Sequence, residues 1–206
     1  MKQDGLTLIE LMVVVIIISV LAGAFGFYFV GWYARYNVES QIKTMQADLT
    51  TARQKALEKK SQYVFQLPAL NGTSYVICED SVTVNNYCDS PGETTNSSIS
   101  QTLSKTGLRY PITWNLPGGA GWQIVMTTRG IVKTAAGVGN PANLSANVND
   151  INNTAPFSIF LLNPSTMAPY GPTGANPVNE VDYDCILLNS TRIDLGKYDG
   201  ANCAIK

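Results

Sequence analysis

Residues 11–30 read LMVVVIIISVLAGAFGFYFV, a stretch with neither charge nor proline. Roughly 20 such residues, rising about 1.5 Å each as a helix, match the ~30 Å hydrocarbon core of a bilayer. A helix buried in a globular core needs only one apolar stripe, whereas this run is apolar on every face. Lys2 precedes the run and a single carboxylate, Glu10, stands against its leading edge. A removable secretory signal is the competing reading, with Ala22-Gly23-Ala24 as its small-residue cut site and a free domain beginning after Ala24. Against it, a carboxylate beside an apolar signal core is costly unless something uses it. The helical pattern also runs past the cut, because Val38, Ile42, Met45, Leu49, Ala52 and Ala56 recur at spacings of four and three. No proline occurs before Pro68. The sequence therefore predicts one helix over residues 6–60, about 80 Å long, with a membrane-length half at 6–33 and an amphipathic half at 34–60. Gly23, Gly26 and Gly31 are the places where such a helix bends most easily.

From residue 61 the character changes. Asn, Thr, Ser, Gly and Pro punctuate short runs of β-type residues. Tyr63, Phe65 and Leu67 alternate ahead of Asn71-Gly72, a favoured hairpin turn, and residues 75–78 return as the next strand. Further strands are expected at 108–114, 122–127, 131–133, 157–162, 185–188 and 192–195. The stretches 89–106 and 135–156 are polar and without periodicity and read as surface loops. The expected fold is α+β: a long N-terminal helix packed on a C-terminal antiparallel β-sheet domain, 61–206, of six to eight strands whose apolar face covers the Val38 to Ala56 stripe.

The chain contains no histidine. That removes Ser-His-Asp and Cys-His nucleophilic pairs, HExxH metalloprotease helices and Cys2His2 zinc sites. No catalytic residues or cofactor site stand out, and no enzymatic activity is expected. The four cysteines, Cys78, Cys88, Cys185 and Cys203, show no CxxC spacing, which favours two disulfides and an oxidising compartment over a four-thiolate zinc site. Sequential pairing, Cys78 with Cys88 and Cys185 with Cys203, is the simplest arrangement, each bond closing a short loop worth about 3 kcal/mol. Sequence alone leaves the other pairings open. Glu180, Asp182 and Asp184 alternate and would share one face of a strand, which makes them calcium candidates against the plainer reading of a solvated acidic surface. From Glu180 onward Arg192, Lys197 and Lys206 face Glu180, Asp182, Asp184, Asp194 and Asp199, an acidic balance unsuited to nucleic acid.

A short basic leader ending in glycine, then a helix half apolar and half amphipathic, resembles the amino terminus of type IV pilins and type II secretion pseudopilins. The matching residues are Lys2, Gly5 and Leu6-Thr7-Leu8-Ile9-Glu10-Leu11. The resemblance implies that residues 1–5 are a leader cut by prepilin peptidase after Gly5, that Leu6 becomes the methylated new terminus, and that Glu10 is the glutamate used in assembly. Leu6 departs from the phenylalanine most usual there. The physical chemistry of Glu10 agrees: an ammonium at Leu6 and a carboxylate at Glu10 are both costly in an apolar bundle and become tolerable when each pairs with the other kind on a neighbouring subunit. The implied partners are other pilin or pseudopilin subunits, prepilin peptidase, the inner-membrane assembly platform and, before assembly, membrane lipid. The implied location is the inner membrane, single-pass, with the β domain periplasmic, and then a periplasmic pseudopilus or extracellular pilus. Trp32, Tyr33 and Tyr36 with Arg35 read as the interfacial belt where the helix leaves the membrane.

Within that class, Ala52-Arg53 to Ala56, the strand at 63–67, Gly121-Trp122-Gln123-Ile124 and Thr128-Arg129-Gly130 are similar to FimT/FimU minor pilins and GspH pseudopilins. This favours a minor pilin or pseudopilin as the functional reading. Its rivals are a secreted binding domain released after Ala24 and a DNA-uptake minor pilin, the latter disfavoured by the acidic tail.

Overall fold

The computed structural model describes residues 7–67, 71–80, 103–114, 122–136, 157–165, 167 and 181–206, with the side chains of 24–31, 122 and 134–136 outside that description. Gly5, Leu6, Cys88 and Glu180, and most of the two expected surface loops, lie outside the described residues.

Helix α1 spans Leu8–Lys59, 52 residues, and continues through Gly23, Gly26 and Gly31. The chain does not leave the helix at those glycines, because neighbouring helix formers on both sides carry the hydrogen-bond ladder past them at a cost of only about 1 kcal/mol each. The helix ends where Lys60 turns into the left-handed region at φ 56°, ahead of the strand propensity of Tyr63 and Phe65.

Among the described residues ten strands follow: β1 Gln62–Gln66, β2 Tyr75–Asp80, β3 Leu103–Lys105, β4 Ile112–Trp114, β5 Trp122–Met126, β6 Val132–Ala136, β7 Phe157–Leu161, β8 Cys185–Leu188, β9 Ile193–Tyr198 and β10 Cys203–Ile205. They form two five-stranded sheets, ordered β3-β2-β1-β5-β6 and β10-β9-β8-β7-β4, with every pairing antiparallel. This corrects the expectation of one sheet of six to eight strands. The division arises because β4, between β3 and β5 in the chain, leaves the first sheet to pair with β7. An isolated bridge between Gly72 and Ile112 and the bond from Val132 N–H to Ser190 O, 2.9 Å, join the two sheets. Strand β3 falls inside the segment read as a loop. Its three residues include one apolar side chain, Leu103, so it has no periodicity of its own, and pairing with Tyr75, Val76 and Ile77 makes it a strand.

Val38, Ile42, Met45, Leu49, Ala52 and Ala56 are each at most 2% exposed, and both sheets close over them. Alternation along β1 sends Tyr63 and Phe65 into this core, whereas Val64 meets its register partners Cys78 and Val125 in a second small cluster.

Candidate functional site

The amino-terminal half of α1 is the part of the molecule that needs an external partner. Every large apolar residue described from Leu8 to Leu21 is between 49% and 78% exposed, on all faces of the helix. Such a surface is tolerated only against lipid or other apolar helices. Among the described residues no helix is long and apolar enough to cross a membrane; the described side chains break off at Gly23, whereas the apolar run in the sequence continues to Val30.

Glu10 has a local role the sequence reading missed. Thr7 is the N-cap, and its backbone N–H and hydroxyl donate to Glu10 Oε2 at 2.9 and 2.8 Å. The Glu10 N–H returns a 3.4 Å bond to Thr7 Oγ1, completing a capping box. The signal, Thr-x-x-Glu before an apolar run, is present in the sequence. The carboxylate thus fixes the first turn and uses one oxygen, Oε2, to do so.

The other half of α1 is moored to the sheets by polar side chains flanking its apolar stripe. Gln41 and Tyr110 exchange reciprocal bonds, Gln41 Nε2 to Tyr110 O at 2.7 Å and Tyr110 N–H to Gln41 Oε1 at 3.1 Å. Gln46 donates to Ile193 O at 3.0 Å. Arg53 clasps both sheets, with Nε on Gly130 O at 2.7 Å in the β5–β6 turn and a terminal nitrogen on Thr191 O at 2.6 Å in the β8–β9 turn. Gly130 adopts φ +70°, and a Cβ there would lie 2.9 Å from Leu57, so the turn closes against the helix only with glycine. Arg53 and Thr128-Arg129-Gly130, distant in sequence, therefore meet at one point.

Two ionic groups complete the mooring. Near the start of the domain, Arg35 bonds Glu39 at 3.2 Å and also Asp182, Lys206 bonds the other Asp182 oxygen, and Lys43 reaches Glu39 at 3.3 Å. Burial raises the Glu39 carboxyl, but bonds from the Asp182 N–H, Arg35 and Lys43 outweigh it and hold the group below its ordinary value. Asp182 is lowered by Lys206 and Arg35. At the far end, Glu79 is 2% exposed and accepts from Lys59 at 2.9 Å and from the Tyr63 hydroxyl at 3.0 Å. Burial raises the Glu79 carboxyl; the bonds from Ser61, Lys59 and Tyr63 outweigh burial and depress it.

This last group makes a pH prediction. A depressed folded value means that the contribution of Glu79 is complete above the ordinary carboxylate value of 4.5 and is lost as pH falls through the folded value. Glu79→Gln is expected to cost about 1–3 kcal/mol at neutral pH, in the range of a hydrogen-bonded charged group, and progressively less as pH falls through the folded value and the native carboxyl becomes neutral too. Thermal unfolding of both proteins against pH checks this, the two curves converging in acid.

Cys185 and Cys203 form a disulfide joining β8 to β10, with a Cα–Cα distance of 6.0 Å. Cys78 is also disulfide-bonded, and no free cysteine occurs among the described residues. Of the calcium candidates Asp182 and Asp184 are described, and they do not converge. Asp182 and Asp184 precede β8, so the shared strand face does not exist for them. Asp182 is engaged by Arg35 and Lys206, whereas Asp184 is buried and accepts the Tyr198 N–H at 2.7 Å. Among the described residues no three acidic or cysteine side chains group to hold a metal.

A surface-exposed apolar helix with a capped acidic start, continuous with a helix half buried under antiparallel sheets, defines a protein built to be anchored and packed through that helix. Residues 1–26 match the family described as the prokaryotic N-terminal methylation motif. That motif is the type IV pilin signature, and the match covers the amino terminus of the chain. Among solved structures, the minor pseudopilin EpsH from the type 2 secretion system of Vibrio cholerae is similar, with 10% identity, 81% of this chain and 99% of that chain covered, and a TM-score of 0.39. Among curated proteins none matches significantly.

Proposed function

We propose that the chain is a structural subunit, a minor pilin or pseudopilin, cut by prepilin peptidase after Gly5 and methylated at Leu6. It waits in the inner membrane through residues 6–33 with its β domain in the periplasm, and is then drawn by the membrane assembly platform into a filament whose core is the packed helices of neighbouring subunits. The observation that carries this reading is the methylation motif placed on a helix with two environments, apolar and exposed from Leu8 to Leu21, sealed under two sheets from Val38 to Ala56. A secreted domain cut after Ala24 would discard the capped, exposed part and leave the moored part without a use for the rest. Sequencing the amino terminus of the mature protein separates the two, with Leu6 expected first and Phe25 as the result that defeats the proposal.

Gly5→Leu is expected to abolish the cut, because the peptidase must accommodate the residue before the scissile bond, while leaving insertion intact, because residues 11–30 are unchanged. The readout is a full-length species that resists carbonate extraction. A Gly5→Leu protein still trimmed to Leu6 contradicts the assignment.

A further inference from the structure

The sequence gives the aromatic belt at the membrane exit Arg35 as its cation, but the structure turns Arg35 toward the domain, where Glu39 and Asp182 hold it. Lys43 is likewise taken by Glu39 and lies 5.3 Å over the Tyr183 ring. The cation that faces the belt comes from elsewhere in the chain. Arg109 is exposed, its guanidinium carbon 5.6 Å from the Tyr33 ring and 5.9 Å from the Tyr110 ring, and no carboxylate engages it among the described residues. On the same helix, one residue before and three after Tyr33, Trp32 and Tyr36 stack at 5.7 Å and are 58% and 56% exposed.

The segment that carries Arg109 is fastened to the helix. The reciprocal Gln41–Tyr110 pair, the Tyr110 hydroxyl on Ala34 O at 3.3 Å and the Leu108 N–H on Thr73 O at 2.9 Å fix it on both sides of Arg109. The guanidinium is therefore presented at a set height, level with the first residues beyond the apolar run. We infer that Arg109, over Tyr33, seats the phosphate of an anionic phospholipid, so that the domain rests on the membrane surface through the exposed Thr106, Gly107 and Arg109 before the subunit is extracted. This rests on the anchored-subunit reading above. Charge complementarity selects the occupant: a guanidinium that no carboxylate engages among the described residues suits a phosphate, and Trp and Tyr rings occupy the headgroup level on either side of the hydrocarbon. Continuity with the apolar run places that phosphate in a bilayer, not in solution.

The test uses the full chain in vesicles of phosphatidylcholine alone or with about one third phosphatidylglycerol, with a benzoylphenylalanine photo-crosslinker at exposed Thr106 and, as a control, at exposed Thr128 beyond the far end of the helix. Lipid adducts are expected at Thr106 and not at Thr128. Arg109→Gln is expected to lower the Thr106 adduct in the phosphatidylglycerol vesicles roughly fivefold, the effect of about one basic residue at an anionic surface, while Arg109→Lys keeps most of it. Adducts that ignore both Arg109→Gln and phosphatidylglycerol overturn the phosphate seat, as does a Thr106 adduct to a second copy of the protein in place of lipid. Failure of the anchored reading is distinguishable, because the protein itself would then leave the vesicle fraction on carbonate washing, taking both proposals with it.

Discussion

Glu10→Ala is expected to be processed, inserted and folded, yet to enter filaments at least about a hundredfold less well than wild type. The substitution makes the anchor more apolar and lies far from the sheets, so insertion and folding have no reason to suffer. Assembly loses the partner for an incoming ammonium at Leu6, and an unpaired charge in an apolar bundle costs about 3 kcal/mol or more. The capping box adds a second, smaller effect, since Ala also removes the bonds to the Thr7 N–H and hydroxyl, worth about 1 kcal/mol. Glu10→Gln separates the two. An amide can still complete the box but cannot neutralise an ammonium, so helix content at the amino terminus should survive while assembly fails. Recovery of each variant from sheared filaments or cross-linked complexes measures this. Wild-type incorporation of Glu10→Gln would reduce Glu10 to a helix cap and remove the pairing mechanism.

The second large effect is expected at Gly196, in the middle strand of the closing meander. Gly196 faces Cys185 of β8 on one side and Ile205 of β10 on the other. In a flat sheet, next-nearest strands stand about 9.6 Å apart, yet Cys185 and Cys203 have Cα atoms only 6.0 Å apart, so β10 curls across β9. The crossing point is the glycine. A Cβ there would meet the Ala204 carbonyl oxygen at 2.5 Å and Cys203 Sγ at 2.6 Å, neither of which is the flexible end of a long side chain. Gly196→Ala is expected to cost about 1–3 kcal/mol from overpacking. Gly196→Val should approach the loss of the disulfide loop itself, about 3 kcal/mol. Denaturant unfolding of the oxidised proteins, with free thiol counted in each, checks both. A Gly196→Ala protein within 0.5 kcal/mol of wild type, its disulfide intact, would show that β10 moves aside freely, a cost below the usual range for overpacked sites.

Much of the assembly helix was open to reading because its information is local and periodic. Residues 11–30 stand out by having no charge, and the Val38 to Ala56 stripe declares its buried face by spacing, so that all six of its positions are in the core. The capping box was equally local, and Thr7 with Glu10 spells it, but the register of glycine and glutamate had already supplied Glu10 with a reason to exist. Strands with strong alternation, such as β1, or with continuous apolar runs, such as β7, could be placed to within a residue or two.

What the sequence determined by itself is thus everything set within a few residues of chain: the long apolar run, its acidic start, the amphipathic continuation, and the absence of histidine. Tertiary structure alone decided which polar residues meet. Arg35 looked like part of the interfacial belt and proves to belong to Asp182 and Glu39; Arg53 joins Gly130 and Thr191 from two different sheets; Arg109 reaches Tyr33 from a segment far along the chain. It also decided that the strands divide into two sheets, since β3 is too short to carry a pattern and β4, legible as a strand, takes its sheet from its partner β7. The physical reason is one of range. Apolar burial is nondirectional and is written in composition and period. A hydrogen bond or ion pair requires two groups within about 3 Å in a fixed orientation, a condition that only the folded chain can meet.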